Sequence, residues 1–136
     1  IREKGKEYGT TTGRPRRCGW LDLVMLKYAH HLNGFTTLAI TKLDVLSGFE
    51  KIKIAVKYYL KGNEIDYPIP SSLIEKCNVE YKELSGFRIK GDEKNYEDLE
   101  INAKNFIEFI ELFLNVPVSI ISIGPKRSQT IIRAKV

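Results

Sequence analysis

The segment that most constrains the fold is residues 96–114, because its apolar residues recur at helical spacing. The positions that share one helical face are Leu99, Ala103, Phe106, Ile110, Phe113 and Leu114. Asn115 ends this helix, and residues 116–122 are predicted to form a strand directly after it. A helix and a strand in direct succession are the building unit of an α/β fold.

The rest of the chain alternates strands and helices in the same way. A helix capped by Asp22 is predicted to run to Asn33 and Gly34. Strands are predicted at residues 35–40, 51–60, 64–67, 79–84 and 130–133, with a short helix after Ser71. Residues 1–8 are expected to be only partly ordered, and residues 86–98 to form a polar loop. We therefore predict a single α/β domain over residues 1–136.

The composition is typical of a globular protein and gives no sign of a membrane span. The chain is 43% hydrophobic and 29% charged, with no apolar stretch near the ~18 residues of a membrane span. Cys18 and Cys77 are far apart and have no metal-ligand spacing, so a reducing cytosol is expected. The first residue is Ile1 and the only methionine is Met25, so we expect a piece of a longer protein.

A glycine-framed loop carries the strongest functional signal. Three threonines and three arginines lie between Gly9 and Gly19, namely Thr10, Thr11, Thr12, Arg14, Arg16 and Arg17. Hydroxyl groups and guanidinium groups both donate hydrogen bonds to carboxylate or phosphate oxygens. The loop is therefore predicted to bind small anions.

Two further motifs lie where a predicted strand ends and a loop begins, Thr41-Lys42-Leu43-Asp44 and Ser122-Ile123-Gly124-Pro125. In open α/β sheets, ligands bind beyond the carboxyl ends of strands, so these loops are predicted to meet over one ligand. The two oxygens of Asp44 match the N1–H and 2-amino donors of guanine, which adenine does not present. The aliphatic stem of Lys42 is suited to lie across the face of a purine. A backbone N–H at Ile123 or Gly124 is suited to donate a hydrogen bond to a guanine oxygen.

Taken in order, the three segments 9–22, 41–48 and 122–127 resemble the adenylosuccinate synthetase family. The resemblance implies the C-terminal part of a P-loop-NTPase-like fold, with a mixed sheet and flanking helices. It also implies that the phosphate loop and the catalytic aspartate and histidine belong to an N-terminal half outside this chain. We therefore expect no catalytic residue and no metal site here, and no activity from this fragment alone.

The family resemblance implies a cytoplasmic, homodimeric ligase of purine biosynthesis that joins IMP and L-aspartate, with GTP as co-substrate and Mg²⁺. GTP phosphorylates O6 of IMP, and the amino group of aspartate then displaces the phosphate. The implied aspartate and IMP contacts are Thr10, Thr11, Thr12, Gly13, Arg14, Pro15 and Arg16. The implied GTP contacts are Arg16, Lys42, Leu43, Asp44, Ser122, Ile123 and Gly124. Thr10 and Ile123 depart from the family pattern, so any role there falls to the backbone.

A different class of function stays open at this stage. The net charge of +5, from 22 Lys+Arg and 17 Asp+Glu, also fits a basic α/β module that binds RNA or another polyanion. Asp44 argues against it, because a carboxylate repels a phosphate backbone. His30 and His31 are interpreted as surface or packing residues and Trp20 as a core anchor. The acidic residues Asp92, Glu93, Glu97, Asp98 and Glu100 are interpreted as a solvated helix start.

Overall fold

A computed structural model describes residues 1–133. Its α-helices are α1 (Arg2–Gly5), α2 (Leu23–Asn33), α3 (Ser71–Ile74) and α4 (Ile101–Leu114). Its strands are β1 (Leu21–Asp22), β2 (Leu38–Ile40), β3 (Lys51–Leu60), β4 (Asn63–Ile65), β5 (Asn78–Ser85), β6 (Val118–Ser122) and β7 (Thr130–Ile132). Short 3-10 turns occupy Leu43–Leu46, Tyr96–Asp98 and Arg127–Gln129. No helix among the described residues is long and apolar enough to cross a membrane.

The strands form two mixed sheets, which confirms the predicted α/β class. In the first sheet, β3 pairs parallel with β1 and antiparallel with β4 and β5. In the second, β6 lies between β2 and β7, parallel to β2 and antiparallel to β7. The parallel pair matters most here, because it brings distant parts of the chain to the same sheet edge.

One hydrophobic core connects both sheets through α4. The helix buries Ala103, Phe106, Ile107, Ile110 and Leu114, which recur at helical spacing. The same cluster contains buried residues of β3 (Ile52, Ile54) and of β6 (Val118, Ile121). Both sheets are therefore fixed to one helix, which sets the positions of the loops at their edges.

The N-terminal end of α2 confirms the predicted cap. Oδ1 of Asp22 accepts a hydrogen bond from the Met25 N–H at 2.9 Å. Its other oxygen, Oδ2, accepts from the Tyr58 hydroxyl at 2.6 Å. Burial raises the pKa of Tyr58, and the hydrogen bond to Asp22 raises it further. Asp22 therefore holds α2 against β3.

Several predicted boundaries were wrong. The strand predicted at residues 35–40 is shortened to β2, where the Leu38 N–H pairs with the Pro117 carbonyl oxygen at 2.8 Å. The helix predicted over residues 96–114 is interrupted at Leu99 and Glu100, whose backbone is extended. The Glu100 carboxylate accepts a hydrogen bond from the Arg88 N–H at 2.6 Å. This contact connects the interruption of the helix to the preceding loop.

Two interpretations of charged segments were also wrong. Residues 2–5 form α1, whose Gly5 is buried beside Val45. Glu93 is not solvated: it is 6% exposed and accepts from the N–H groups of Lys90 and Gly91, each at 2.8 Å. Burial would raise the pKa of Glu93, but these backbone donors outweigh it and lower the pKa. Glu93 therefore closes a loop.

Candidate functional site

The parallel pairing of β2 and β6 brings together the two strand ends predicted to meet. Ile40 is paired with Ile121 at the carboxyl ends of these strands. The base turn (Lys42, Leu43, Asp44) and the closing loop (Ser122, Ile123, Gly124) therefore leave the sheet side by side. This is the edge of an α/β sheet where ligands generally bind.

The base turn presents a carboxylate oxygen without a partner. Leu43 and Val45 are 1% and 7% exposed, so they anchor the 3-10 turn in the core on both sides of Asp44. Oδ1 of Asp44 is buried, and no group in residues 1–133 donates a hydrogen bond to it. Leaving a buried carboxylate oxygen unpaired is costly, so such atoms call for a donor from outside the chain. Oδ1 of Asp44 is therefore the buried acceptor of the base turn that the described residues leave without a donor.

The closing loop is held by internal hydrogen bonds that limit what it offers a ligand. The Ile123 N–H donates to the Gln129 carbonyl oxygen at 2.9 Å, and the Ile123 side chain is 1% exposed. The Ile123 N–H is therefore occupied. Of the two backbone N–H groups at Ile123 and Gly124, that of Gly124 is left as the candidate donor. The Ser122 hydroxyl donates to the Gly124 carbonyl oxygen at 3.0 Å.

Gly124 packs closely against the side chain of Gln129. A Cβ atom at this position would lie 2.4 Å from Oε1 of Gln129. The Gln129 amide is itself engaged, since its Nε2 donates to the Gly91 carbonyl oxygen at 3.0 Å and its Oε1 accepts from the Lys126 N–H at 3.1 Å. Sequence reasoning missed Gln129, because no local pattern marks a side chain that braces a neighbouring loop.

The anion loop (residues 10–16) closes on itself through its backbone. The Gly9 N–H donates to the Arg14 carbonyl oxygen, and the Gly13 N–H to the Gly9 carbonyl oxygen, both at 2.8 Å. Gly13 has φ of 65°, a left-handed conformation that glycine adopts without strain. Thr12 Oγ1 accepts from the Arg14 N–H at 3.3 Å. These contacts fix the loop as a tight turn.

The polar side chains of the anion loop face solvent. Thr10, Thr11, Thr12, Gly13, Arg14, Pro15 and Arg16 are all exposed. In residues 1–133, no carboxylate forms an ion pair with Arg14. The hydroxyls and the Arg14 guanidinium are therefore available to an anionic ligand.

Glu7 connects the anion loop to the base turn, and sequence reasoning missed it. Its Oε2 accepts from Nη1 of Arg16 at 3.0 Å, and its Oε1 accepts from Nζ of Lys42. The Lys42 ammonium lowers the pKa of Glu7, and the Arg16 guanidinium lowers it further. Nζ of Lys42 also donates to the Gly5 carbonyl oxygen at 2.9 Å. The two predicted binding segments are thus neighbours in space.

Three further residues considered in the sequence, Trp20, His30 and His31, lie in packed or surface positions. Trp20 is half-buried and packs edge-to-face on Phe49 at 5.6 Å, as expected of a core anchor. His30 lies against Phe35 with ring centroids 5.7 Å apart, whereas His31 is exposed. No group of three or more metal-ligating side chains is found within residues 1–133.

An apolar cleft of about 400 Å³ adjoins Glu7 and Lys42. Its walls include Leu21 and Ile52 of the first sheet and Ile40 of the second. The cleft supplies few hydrogen-bond donors or acceptors, so the polar turns are the better candidates for binding a nucleotide.

Comparisons with known proteins agree with the sequence motifs. A family model described as adenylosuccinate synthetase matches residues 1–131. The chain is 49% identical to the adenylosuccinate synthetase of Caldanaerobacter subterraneus over 134 residues, which are 97% of this chain and 31% of that protein. It is 52% identical to that of Thermodesulfovibrio yellowstonii over 136 residues, which are 98% of this chain and 32% of that protein.

A solved structure gives the same result in three dimensions. Fully ligated adenylosuccinate synthetase from Plasmodium falciparum superimposes with a TM-score of 0.93 and 40% sequence identity. The superposition covers 98% of this chain and 33% of that one. The chain thus spans about a third of the length of the curated relatives it matches.

Proposed function

This chain belongs to the adenylosuccinate synthetase family, and from that premise we propose that it supplies substrate-binding elements to a GTP-dependent ligase. The complete enzyme would join IMP and L-aspartate into adenylosuccinate and release GDP and phosphate. We also propose that residues 1–136 form one domain-sized, C-terminal portion of a cytoplasmic homodimer. The dimer is tested by light scattering of the complete protein.

The unpartnered Oδ1 of Asp44 is the observation that carries the proposal. Guanine offers two adjacent donors, N1–H and the 2-amino group, to the two oxygens of this carboxylate. Adenine offers an acceptor at N1 and would leave the buried oxygen unpaired, which a hydrogen-bonded site rejects strongly. The base turn would therefore select GTP over ATP.

We propose the remaining GTP contacts from the hydrogen bonds around Asp44. The ammonium of Lys42 is held by Glu7 and Gly5, so its aliphatic stem is the part left to cover the base. The Gly124 N–H would meet the guanine carbonyl oxygen, since that of Ile123 is occupied. Leu43 and Ser122 would shape the turns that hold these groups.

The anion loop would bind aspartate and the IMP ribose. The hydroxyls of Thr11 and Thr12 would donate hydrogen bonds to the aspartate carboxylates. The planar guanidinium of Arg14 would donate to the same groups. Thr10, Gly13 and Pro15 would act through the shape of the backbone turn. Arg16 would reach the nucleotide from the same loop. Because aspartate carries its charge on planar carboxylates, bidentate contact with the Arg14 guanidinium would also orient its amino group for displacement of the phosphate.

The Mg²⁺ implied by the family resemblance does not fit these residues. Residues 1–133 contain no set of carboxylates suited to a divalent cation. Mg²⁺ would therefore be held mainly by the N-terminal half outside this chain, together with the groups that carry out phosphoryl transfer.

The test is adenylosuccinate formation by the complete polypeptide that carries this chain. We expect product only when IMP, L-aspartate and GTP are all present, and no product when ATP replaces GTP. Equal rates with ATP and GTP would refute the role of Asp44. No product under any condition would refute the enzyme assignment. The alternative, a module that binds RNA or another polyanion through Arg14, Arg16, Arg17, Lys126 and Arg127, does not account for Asp44, whose carboxylate would repel a phosphate backbone.

A further inference from the structure

We propose that Glu7 is a positioning residue that holds the anion loop and the base turn in one fixed arrangement. This inference rests on the proposed function, because it assigns Glu7 to the same site. Glu7 itself would touch neither substrate. It would act through Arg16 and Lys42, one cation from each binding segment.

The contacts of Glu7 divide evenly between the two segments. Oε2 accepts from Arg16 Nη1 at 3.0 Å, whereas Oε1 accepts from Lys42 Nζ. Lys42 is 35 residues away from Glu7 in the chain, so this contact joins separate parts of the fold. Within residues 1–133, neither Arg16 nor Lys42 forms an ion pair with any other carboxylate. A single side chain therefore carries the ionic connection.

The Glu7 backbone is anchored as well. Its N–H donates to the Arg2 carbonyl oxygen at 3.0 Å, and its carbonyl oxygen accepts from the Arg16 N–H at 2.9 Å. The Glu7 side chain is 21% exposed, compared with 57% for Arg16 and 52% for Lys42. The carboxylate is thus the fixed partner, and it limits the movement of two long, more exposed side chains.

Charge explains why a carboxylate is needed at this position. Arg16 and Lys42 both lie against Glu7, and these two cations would repel each other and spread apart without an anion between them. One carboxylate shared by two cations lowers that repulsion and still leaves one positive charge for the nucleotide. Glu7 would therefore arrange Arg16 and Lys42 before GTP arrives, and less ordering would remain to be done on binding.

The experiment compares Glu7→Gln with Glu3→Gln in the complete enzyme. Glu3 is a matched control, because it lies on α1, close in sequence, and its carboxylate accepts a hydrogen bond only from the Tyr8 hydroxyl among the described residues. The amide that replaces the Glu7 carboxylate has no charge, and its NH₂ group, a donor, takes the place of the oxygen that one of the two cations now contacts. We expect the KM for GTP to rise about tenfold, which corresponds to the loss of about one charge-assisted hydrogen bond. We expect the melting temperature to stay unchanged.

A second measurement separates positioning from general stability. If Glu7 acts through Lys42, the combined effect of Glu7→Gln and Lys42→Met on the KM for GTP must be smaller than the product of the single effects. Effects that multiply would show that the two residues act independently and would overturn the proposal. A melting temperature that falls while all kinetic constants change together would assign Glu7 to folding alone.

The outcomes also distinguish this inference from the proposed function. An active wild-type enzyme in which Glu7→Gln behaves like Glu3→Gln would overturn only the role of Glu7. A wild-type protein that makes no adenylosuccinate would refute the ligase, and GDP titration would then decide the role of Glu7. Weaker GDP binding by Glu7→Gln than by Glu3→Gln would support it. Equal GDP binding by these variants, or no GDP binding by the wild type, would overturn it.

Discussion

Replacing Asp44 with asparagine exchanges one carboxylate oxygen for an amide NH₂ group at the centre of the base turn. Guanine would then meet one acceptor and one donor where it now meets two acceptors. One charge-assisted hydrogen bond is lost, worth about 1.5–3 kcal/mol, and two donors are left facing each other. A total of about 3 kcal/mol corresponds to a rise of about 100-fold in the KM for GTP.

The same substitution is not expected to destabilise the protein in the absence of ligand. Oδ1 of Asp44 is buried and receives no hydrogen bond from residues 1–133. Removing the charge should therefore leave the free energy of unfolding unchanged or raise it by about 1 kcal/mol. Weaker GTP use without loss of stability separates a binding role from a folding role.

The assay is steady-state kinetics of the complete enzyme with GTP, IMP and aspartate varied in turn. Asp44→Asn should leave the constants for IMP and aspartate within about twofold and improve the use of XTP, whose C2 carbonyl accepts from the new amide. Asp92→Asn is a matched control, because Asp92 is exposed and makes no side-chain hydrogen bond among residues 1–133. Equal increases in the constants for GTP and IMP would refute the reasoning.

Three further predictions concern the loop, the helix cap and pH. Arg14→Leu should raise the KM for aspartate by about 100-fold, measured by aspartate titration, because two charge-assisted hydrogen bonds are lost; an unchanged KM would remove Arg14 from this role. Tyr58→Phe should lower the free energy of unfolding by about 1 kcal/mol in chemical denaturation, because Asp22 loses the hydroxyl at 2.6 Å. The hydrogen bonds from Lys42 and Arg16 hold the pKa of Glu7 below its ordinary range, so its contribution is present at neutral pH and is lost only as the pH falls through that lowered pKa. GDP affinity should therefore show no titration from Glu7 between neutral pH and about pH 5, and a titration that Glu7→Gln abolishes would contradict this.

Local signals in the sequence were sufficient for much of the fold. The Asp22 cap depends on a side chain and an N–H three residues apart, so the sequence contains all of the information. The helical face of α4 and the alternation along β3 are similarly local. The meeting of β2 and β6 could also be predicted, because parallel strands place their carboxyl ends together.

The wrong predictions depended on contacts between distant segments. Strand β2 begins only at Leu38, where Thr37 donates to Ser119 at 2.7 Å. Residues 2–5 are ordered as a helix, and Gly5 there accepts a hydrogen bond from Lys42. The bridging role of Glu7 has the same origin. No periodicity in the sequence indicates partners that lie more than thirty residues away.

In the proposed site, selectivity for guanine depends on Asp44. Calorimetric titration of the complete enzyme with GDP and with ADP tests it most directly. GDP is expected to bind at least about 100-fold more tightly than ADP, because ADP would leave the Asp44 carboxylate unpaired. Equal affinities for GDP and ADP would contradict it.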